Sequence, residues 1–510
     1  MLSKVLSSAV MGIDAYVVEV EVDVAARGLP FFSTVGLPDM AVKESKDRVR
    51  AALKNNGYDF PLKQIVINLA PANVKKEGSA FDLPIAIGII AAEGLLTPEQ
   101  TAGIMLVGEL SLDGRIKPIR GALPMAVKAK EAGIKRIVIP HDNAKEAAVV
   151  DGVDVYGAKD LSEVVSFLRG EGEMTPLKVD VSRLFMEHSH YLEDFADVKG
   201  QEHVKRALEV AAAGGHNILM IGPPGSGKTM LARRLVSVLP DMSFDEAIDT
   251  TKIHSVMGLL QPDSPLIATR PFRSPHHTIS DAGLIGGGAT PKPGEVSLSH
   301  NGVLFLDELP EFHRNALEVL RQPLEDHSVT ISRAVASITY PASFMMVAAM
   351  NPCPCGYHSD DQHVCSCSPR QIQKYRARVS GPLLDRIDLH VEVPSVRFRE
   401  LSDDRAGEPS SEVRARVNKA RAQQRARFGG DGTHCNSQMK PRHLRKHCTV
   451  DEQTLALLES AMERLNLSAR AYNRILKVAR TIADLDCREH IKVSDVSEAI
   501  QYRSLDRKLI

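Results

Sequence analysis

The segment 222–229 has the residue types and spacing needed to hold a phosphate group. It reads Gly-Pro-Pro-Gly-Ser-Gly-Lys-Thr and lies between an apolar run, 217–221, and a stretch with helical periodicity, 230–236. Its glycines allow a tight loop whose backbone N–H groups point at a polyphosphate, with the positive end of the next helix behind them. Lys228 can then reach the β- and γ-phosphates, and Thr229 can offer its hydroxyl to Mg²⁺. The pattern predicts a site for ATP and Mg²⁺.

An acidic segment completes the expected site. Val303–Leu306 is a continuous apolar run, typical of a central parallel strand, and it is followed by Asp307 and Glu308. Asp307 is placed to hold Mg²⁺, and Glu308 to orient or deprotonate the attacking water. The two segments together predict an ATP-hydrolysing core. The residues expected to bind nucleotide and Mg²⁺ are Gly222, Pro223, Pro224, Gly225, Ser226, Gly227, Lys228, Thr229 and Asp307.

The whole-chain composition is that of an ordinary globular protein. A length of 510 residues predicts about three domains, and 43% apolar with 25% charged residues argues against a disordered or fibrous chain. Because the formal net charge is −1, any contact with nucleic acid must come from a local basic surface. Seven cysteines, with no secretory leader and no long apolar span, predict a cytoplasmic protein without a membrane segment.

Residues 1–170 are expected to form a first α/β domain. Strict alternation at 18–24 predicts a half-buried strand, and Asp39 is placed to cap a helix over 40–55. Further strands are predicted at 65–69 and 104–107, and further helices at 81–92 and 121–132.

Two stretches of this domain, 76–84 and 108–121, resemble the proteolytic domain of Lon proteases, which has a ribosomal-S5-like fold. In that family a serine and a lysine form the catalytic pair. The serine position falls here on Ala80, and the lysine position on Leu123 or Met125. A serine without a base is a weak nucleophile. The resemblance therefore implies a non-proteolytic domain used for assembly or for contacting a polymer.

The rest of the chain is expected to contain a linker, 171–194, an ATPase core, 195–395, and a helical lid, 396–510. A buried strand at 344–350 precedes Asn351, which can hydrogen-bond the attacking water or the γ-phosphate. Strand signals vanish beyond 396, and helices are predicted at 411–428, 451–465, 468–484 and 493–502.

Two segments of the core are interpreted as additions to it. Alternating β-branched residues at 329–333 and 336–340 predict a hairpin with Arg333 near its tip. His276 and His277 lack partners at metal-ligand spacing, so their segment is interpreted as an inserted loop.

The order of these motifs resembles magnesium-chelatase-like AAA+ proteins, and with the Lon-like domain it resembles the ComM/YifB family of bacteria. The segments 270–280, 301–312 and 351–356 carry the likeness. The resemblance implies a hexameric ring with the Arg333 hairpin facing the pore. It also implies that Asn351 is sensor 1, Arg386 an arginine finger acting on a neighbour's ATP, and Arg470 the sensor 2 arginine. A local ion pair with Asp385 or Asp388 is the alternative for Arg386.

Four cysteines have a spacing that indicates a metal site. Cys353 and Cys355 are separated by nine residues from Cys365 and Cys367. In a reducing compartment this pattern predicts structural Zn²⁺ with tetrahedral thiolate ligands rather than disulfides. Four free thiols are the alternative, and His358 and His363 are possible substitute ligands.

A basic run gives the chain a candidate surface for DNA. Residues 411–448 hold ten lysines and arginines and only two acids. Such a run is usually a solvated helix face, but in a ring motor it becomes a candidate contact for phosphates. The residues proposed to contact DNA are Arg333, Arg414, Arg421 and Arg425.

The favoured function is that of an ATP-driven ring motor on DNA. The ComM resemblance implies a branch-migration helicase that acts during recombination of transforming DNA. The alternatives are a motor subunit of a magnesium-chelatase-like complex and a protein-remodelling ATPase. An ATP-dependent protease is disfavoured because the serine–lysine pair is missing.

Overall fold

The computed structural model describes residues 1–26, 29–187, 189, 191–261, 264–288, 290–333, 337–358, 360, 363–396, 407–430, 432–465 and 467–505. The chain divides into two compact units. The first comprises Met1–Ser189 and Phe244–Ala268, and the second comprises His190–Ser243 and Thr269–Ile510.

The first unit is built on a seven-stranded sheet of order β3-β4-β2-β1-β5-β8-β9. β1 and β2 form an antiparallel hairpin, while β5, β8 and β9 run parallel. The alternation expected at 18–24 is confirmed, since Val18, Val20 and Val22 are fully buried. The strands are β1 Leu2–Met11, β2 Asp14–Val24, β3 Phe31–Val35, β4 Gln64–Ala70, β5 Ile104–Leu106, β6 Glu109–Leu110, β7 Ile116–Lys117, β8 Arg136–Pro140 and β9 Asp154–Ala158.

Helices pack on both faces of this sheet. Ile104 and Leu106 belong to one apolar cluster and Met105 to another, as the period of two requires. The predicted cap of the first helix is confirmed, because Asp39 accepts a hydrogen bond of 2.8 Å from the Val42 N–H. The helices include Met40–Asn55, Asp82–Ala92, Pro98–Thr101, Ala122–Glu131, Ala144–Ala147, Leu161–Arg169 and Val181–Glu187.

The helix Phe244–Met257 also belongs to the first unit, although it follows the phosphate loop in the sequence. Ala247 is buried there with Val149 and Leu266. The Ser255 carbonyl accepts from the Gly121 N–H at 3.2 Å. The chain therefore passes between the two units three times, at 189–190, 243–244 and 268–269.

The second unit contains a parallel sheet of order β11-β14-β17-β10-β18. Its central strands are fully buried, which explains their continuous apolar sequences. Because the strands are parallel, their carboxyl ends meet at one edge, where ligands bind in open α/β sheets. The strands are β10 Ile218–Ile221, β11 Phe272–Arg273, β14 Val303–Leu306, β17 Met345–Met350 and β18 Leu389–Glu392.

Two small hairpins extend this unit. One is β12 Gly286–Gly287 with β13 Lys292–Pro293. The other is β15 Ser328–Ser332 with β16 Ser337–Pro341, which confirms the predicted hairpin and places Arg333 directly after its first strand.

The described residues from 410 onward form helices and connecting loops without a strand, as expected for the lid. Val413, Val417 and Ile475 pack with Ile218 and Val347 in one apolar core, so these helices are continuous with the sheet. None of the described helices combines the length and the hydropathy needed to cross a bilayer. The helices of this unit include Glu202–Gly214, Lys228–Leu235, Asp281–Ile285, Glu295–Leu298, Arg314–Val319, Pro323–Asp326, Pro369–Arg376, Gly381–Leu384, Ser410–Phe428, Pro441–His447, Glu452–Leu465, Ala469–Leu485 and Val493–Gln501.

Candidate active site

The segment 222–229 forms a tight loop between β10 and the helix that begins at Lys228. A Cβ at Gly222 would lie 2.1 Å from the Val393 carbonyl oxygen, so only glycine fits there. Gly225 and Gly227 have φ values of 76° and 87°, which disfavour other residues. The loop thus has the backbone needed to surround an anion at the start of a helix.

The ammonium group of Lys228 is bonded to the backbone of this loop. Its Nζ donates to the carbonyl oxygens of Gly222 and Pro223, both at 2.8 Å, and lies 3.3 Å from Asn351 Oδ1. Burial lowers the pKa of Lys228, and the charge of Asp307 acts in the opposite direction. The structure therefore brings together three residues that the sequence singled out.

Thr229 and Asp307 meet at the exposed side of the loop. The Thr229 hydroxyl donates to Asp307 Oδ2 at 2.7 Å. A hydroxyl and a carboxylate are the hard oxygen ligands that Mg²⁺ prefers beside phosphates. The donor set fits this ion.

Glu308, two residues after β14, has a left-handed backbone conformation. Its φ is 53°, and its N–H donates to Asp307 Oδ1 at 2.9 Å. One carboxylate oxygen lies 3.3 Å from Nδ1 of His277. The His277 ring also packs against His276, with centroids 4.1 Å apart.

His277 is a site residue that sequence reasoning missed. The sequence pattern indicates an inserted loop, yet His277 follows β11, which pairs in parallel with β14. Residues that follow neighbouring parallel strands share one sheet edge. The same reasoning predicts Asp307 and Asn351 at this edge, and it applies equally to His277.

Gln201 makes a further contact with the phosphate loop. It lies at the start of the helix Glu202–Gly214 with a φ of 56°. Its Nε2 donates to the Ser226 carbonyl at 3.0 Å and to the Pro394 carbonyl at 2.8 Å. Gln201 therefore ties the phosphate loop to the end of β18.

Arg386 is held inside its own chain. It is 8% exposed, bonds to the Glu325 carboxylate and donates to the Pro382 carbonyl at 2.6 Å. Asp388, one of the two partners considered from the sequence, instead binds Arg474 at 2.9 Å. To act as an arginine finger, Arg386 would have to leave the Glu325 carboxylate and bind a phosphate of the neighbouring subunit's ATP instead.

Arg470 occupies the first turn of the helix Ala469–Leu485, and its side chain is exposed. Ser468 caps this helix by accepting from the Ala471 N–H at 3.3 Å. An exposed arginine at this position is accessible to a ligand.

The four cysteines form a compact cluster. The Cys353 Sγ lies 3.3 Å from that of Cys355 and 3.7 Å from that of Cys365, and all four sulfurs fall within 4.8 Å of one another. A tetrahedral ion with metal–sulfur bonds of ~2.3 Å places its sulfurs ~3.8 Å apart. Donation from the Tyr357 N–H lowers the pKa of the Cys355 thiol to about 5. This cluster can hold a metal ion.

The alternative histidine ligands lie outside this cluster. His363 Nδ1 pairs with Asp360 at 2.7 Å, and its ring packs on Tyr357 at 4.6 Å. The thiolates therefore supply the whole donor set among the described residues.

The basic residues expected to contact DNA divide into two groups. Arg414 lies 3.7 Å from an Asp241 carboxylate oxygen and over the Tyr191 ring. Arg421 donates to the carbonyls of Ala212 at 3.2 Å and His434 at 3.3 Å. Both connect the lid to the core, whereas the side chains of Arg425 and Arg333 are exposed.

The Lon-like domain has no serine–lysine pair at the described positions. Leu123 and Met125 are buried in the apolar core. The Ser79 hydroxyl donates to Glu109, and Lys128 pairs with Glu131 at 3.1 Å.

Comparison with known proteins finds matches to magnesium-chelatase families over most of the chain. The family "Magnesium chelatase, subunit ChlI" matches residues 194–401, "Subunit ChlI of Mg-chelatase" matches 20–143, and "Magnesium chelatase, subunit ChlI C-terminal" matches 407–503. The N-terminal similarity includes Lon protease 2 of Bacillus subtilis, 27% identical over 28% of this chain and 26% of that protein.

Two relatives match over their full length. Competence protein ComM of Haemophilus influenzae is 45% identical over 100% of this chain and 98% of its own. The uncharacterized protein YifB of Escherichia coli is 44% identical with the same coverage. The phosphate loop, the Thr229–Asp307 pair and these matches together show that the chain belongs to the ComM/YifB family of magnesium-chelatase-like AAA+ ATPases.

Proposed function

We propose that this ATPase is a ring-forming motor that drives branch migration of DNA during recombination of transforming DNA. The observation that carries the proposal is full-length similarity to a protein named for competence, together with an ATP site in which Lys228, Asn351, Thr229 and Asp307 converge. A hexameric ring is part of the proposal, because Arg386 would then act on the ATP of a neighbouring subunit.

In the proposed hydrolysis, Lys228 and the loop N–H groups hold the β- and γ-phosphates. Thr229 and Asp307 would hold Mg²⁺, which neutralises phosphate charge when it is bound. Glu308 orients a water and accepts its proton as the water oxygen bonds to the γ-phosphorus and ADP leaves. Asn351, Arg386 and Arg470 position and neutralise the phosphoryl group.

For DNA contact we propose Arg333 and Arg425, whose side chains are exposed. Arg414 and Arg421 are engaged within the chain, so they support the lid rather than the DNA in this proposal. Each exposed arginine that contacts a phosphate should steepen the dependence of binding on salt.

Steady-state ATP hydrolysis, measured with and without single-stranded, duplex and four-way-junction DNA, tests the motor proposal. Glu308→Gln serves as the inactive control. We expect DNA to stimulate hydrolysis, most strongly on one structure. Hydrolysis indifferent to every DNA would reject the DNA motor and leave the ATPase intact.

A second candidate is a motor subunit of a magnesium-chelatase-like complex. It is favoured by the three chelatase-subunit families, which match most of the chain. In that case hydrolysis would respond to a separate chelatase subunit rather than to DNA. A protein-remodelling ATPase would instead respond to an unfolded protein substrate.

For the cysteine cluster we propose Zn²⁺, because soft thiolates in a tetrahedral array suit this ion. The proposal places the protein in the reducing cytoplasm, where the thiols persist. Protein purified without chelator should contain one zinc per chain, and Cys353→Ser should lose it. Metal content well below one per chain would reject the assignment.

A further inference from the structure

The cysteine cluster touches the phosphate loop through Gly356. This glycine directly follows Cys355 and has a φ of 90°. A Cβ at this position would lie 2.5 Å from Cδ and 2.6 Å from Cγ of Pro224. The Gly356 backbone thus packs directly against the ring of a phosphate-loop residue.

The other end of the cluster returns to the same site. Cys367 is followed by Ser368, which caps the helix Pro369–Arg376. Arg376 Nε donates to the Pro352 carbonyl at 3.2 Å. Tyr375 is buried, and its hydroxyl interacts with the backbone of Asn351.

The cluster therefore joins two segments, 351–356 and 365–376, that both contact the nucleotide site. The first carries Asn351, whose Oδ1 lies 3.3 Å from Lys228 Nζ. Bringing four thiolates within 4.8 Å of one another concentrates negative charge, and a divalent ion offsets it while fixing the two segments together. In the described residues no disulfide links them.

We infer that the metal on Cys353, Cys355, Cys365 and Cys367 is a positioning element of the ATP site. It holds Gly356 against Pro224 and thereby sets the phosphate loop relative to Asn351. The inference rests on the proposed zinc site and extends it from a fold stabiliser to a determinant of ATP affinity. Pro224 and Gly356 act through the loop, so they are positioning residues.

The main test is Gly356→Ala, which introduces a Cβ into the Pro224 contact. We expect the variant to retain one zinc per chain but to bind a fluorescent ATP analogue about tenfold more weakly, which corresponds to ~1.4 kcal/mol. KM for ATP should rise more than kcat falls. Gly430→Ala is the matched control, because Gly430 also has a positive φ of 85° but its Cβ would meet nothing within 4 Å.

A second test uses Pro224→Ala, which shortens the contact without adding a clash. In the unmodified protein, zinc removal by chelator should weaken binding of the analogue, and added zinc should restore it. In Pro224→Ala, zinc removal should weaken binding of the analogue several-fold less than in the unmodified protein. The reason is that this variant loses the contact between Gly356 and the ring of Pro224.

The outcomes separate the two proposals. If the unmodified protein lacks zinc, the zinc assignment and this inference both fail. If zinc is present but Gly356→Ala binds the analogue as Gly430→Ala does, the inference fails and the zinc site stands. An equal effect of chelator on Pro224→Ala and the unmodified protein would also overturn the inference.

Discussion

Nδ1 of His277 lies 3.3 Å from Oε2 of Glu308, the carboxylate proposed to accept the proton of the attacking water. The backbone of Glu308 has a left-handed conformation, and its N–H donates a hydrogen bond to Asp307. The hydrogen bond restrains the backbone, whereas the side chain has several rotatable single bonds. The close approach of the His277 ring limits this rotation, so we expect His277 to position the proposed base.

We expect His277→Ala to lower kcat about tenfold, a modest loss for a misplaced catalytic group. KM for ATP and binding of an ATP analogue should change little, because His277 does not contact the phosphate loop in the described contacts. His276→Phe is the matched control, because it keeps an aromatic ring against His277 and removes the imidazole that is paired with the Thr278 hydroxyl at 2.9 Å. Equal kcat values for both variants would contradict a positioning role for His277.

Arg386 should show a different kinetic pattern, because it is proposed to act on a neighbouring subunit. Arg386→Ala should bind ATP normally but hydrolyse it at least ~1,000-fold more slowly, the lower end of the range for arginine fingers. Mixing it with inactive Lys228→Ala subunits should restore part of the activity, since an intact loop then meets an intact Arg386. Mixed rings that stay inactive would contradict action in trans.

Asp388 provides a pH-dependent prediction about stability. It is buried between Arg474, at 2.9 Å, and His216, at 3.3 Å. Burial alone raises the pKa of this carboxyl, but the charge of Arg474 and the hydrogen bond from His216 outweigh it and hold the pKa well below its usual range. The unfolded value is about 3.9, so Asp388 stabilises the fold above that pH and loses this effect as pH falls below about 4.

Asp388→Asn should therefore lower the free energy of unfolding at pH 7 by ~3 kcal/mol, because it leaves Arg474 buried without its counter-charge. Urea unfolding between pH 7 and pH 3 measures this. The difference between the variant and the unmodified protein should shrink below pH 4. A difference that stays constant across this range would show that the charge of Asp388 does not stabilise the fold.

Much of the ATP site was predictable because it depends on local patterns. The phosphate loop has a fixed spacing, and the buried strands before Asp307 and Asn351 are short apolar runs with clear ends. Parallel pairing then brings them to one edge. His277 is not predicted as a site residue because its approach to Glu308 depends on which segments become neighbours, and the sequence pattern of 270–280 does not show this.

The grouping of helix 244–257 with the first unit was not predictable for the same reason. Ala247 and Ile253 give the helix an apolar face, but the sequence does not show which part of the protein this face packs against. The basic helix Ser410–Phe428 shows a similar limit. Charge along the sequence does not reveal that Arg421 binds backbone carbonyls while Arg425, one turn later, is exposed.

This difference between neighbouring arginines gives the last prediction. Arg421→Ala removes donors to the carbonyls of Ala212 and His434, so it should lower the thermal midpoint by several degrees, in line with a loss of ~1–3 kcal/mol. Arg425→Ala should leave the midpoint unchanged but weaken DNA binding. If Arg425 contacts one phosphate, the slope of log K against log salt should fall by about one.

The salt slope distinguishes a direct contact from an indirect one. A destabilised lid lowers DNA affinity at every salt concentration, whereas a lost phosphate contact changes the slope itself because fewer counterions are released. Arg333→Ala should behave as Arg425→Ala does, since both side chains are exposed. Unchanged slopes for both exposed arginines, in a protein whose hydrolysis is stimulated by DNA, would place the DNA contact on another surface.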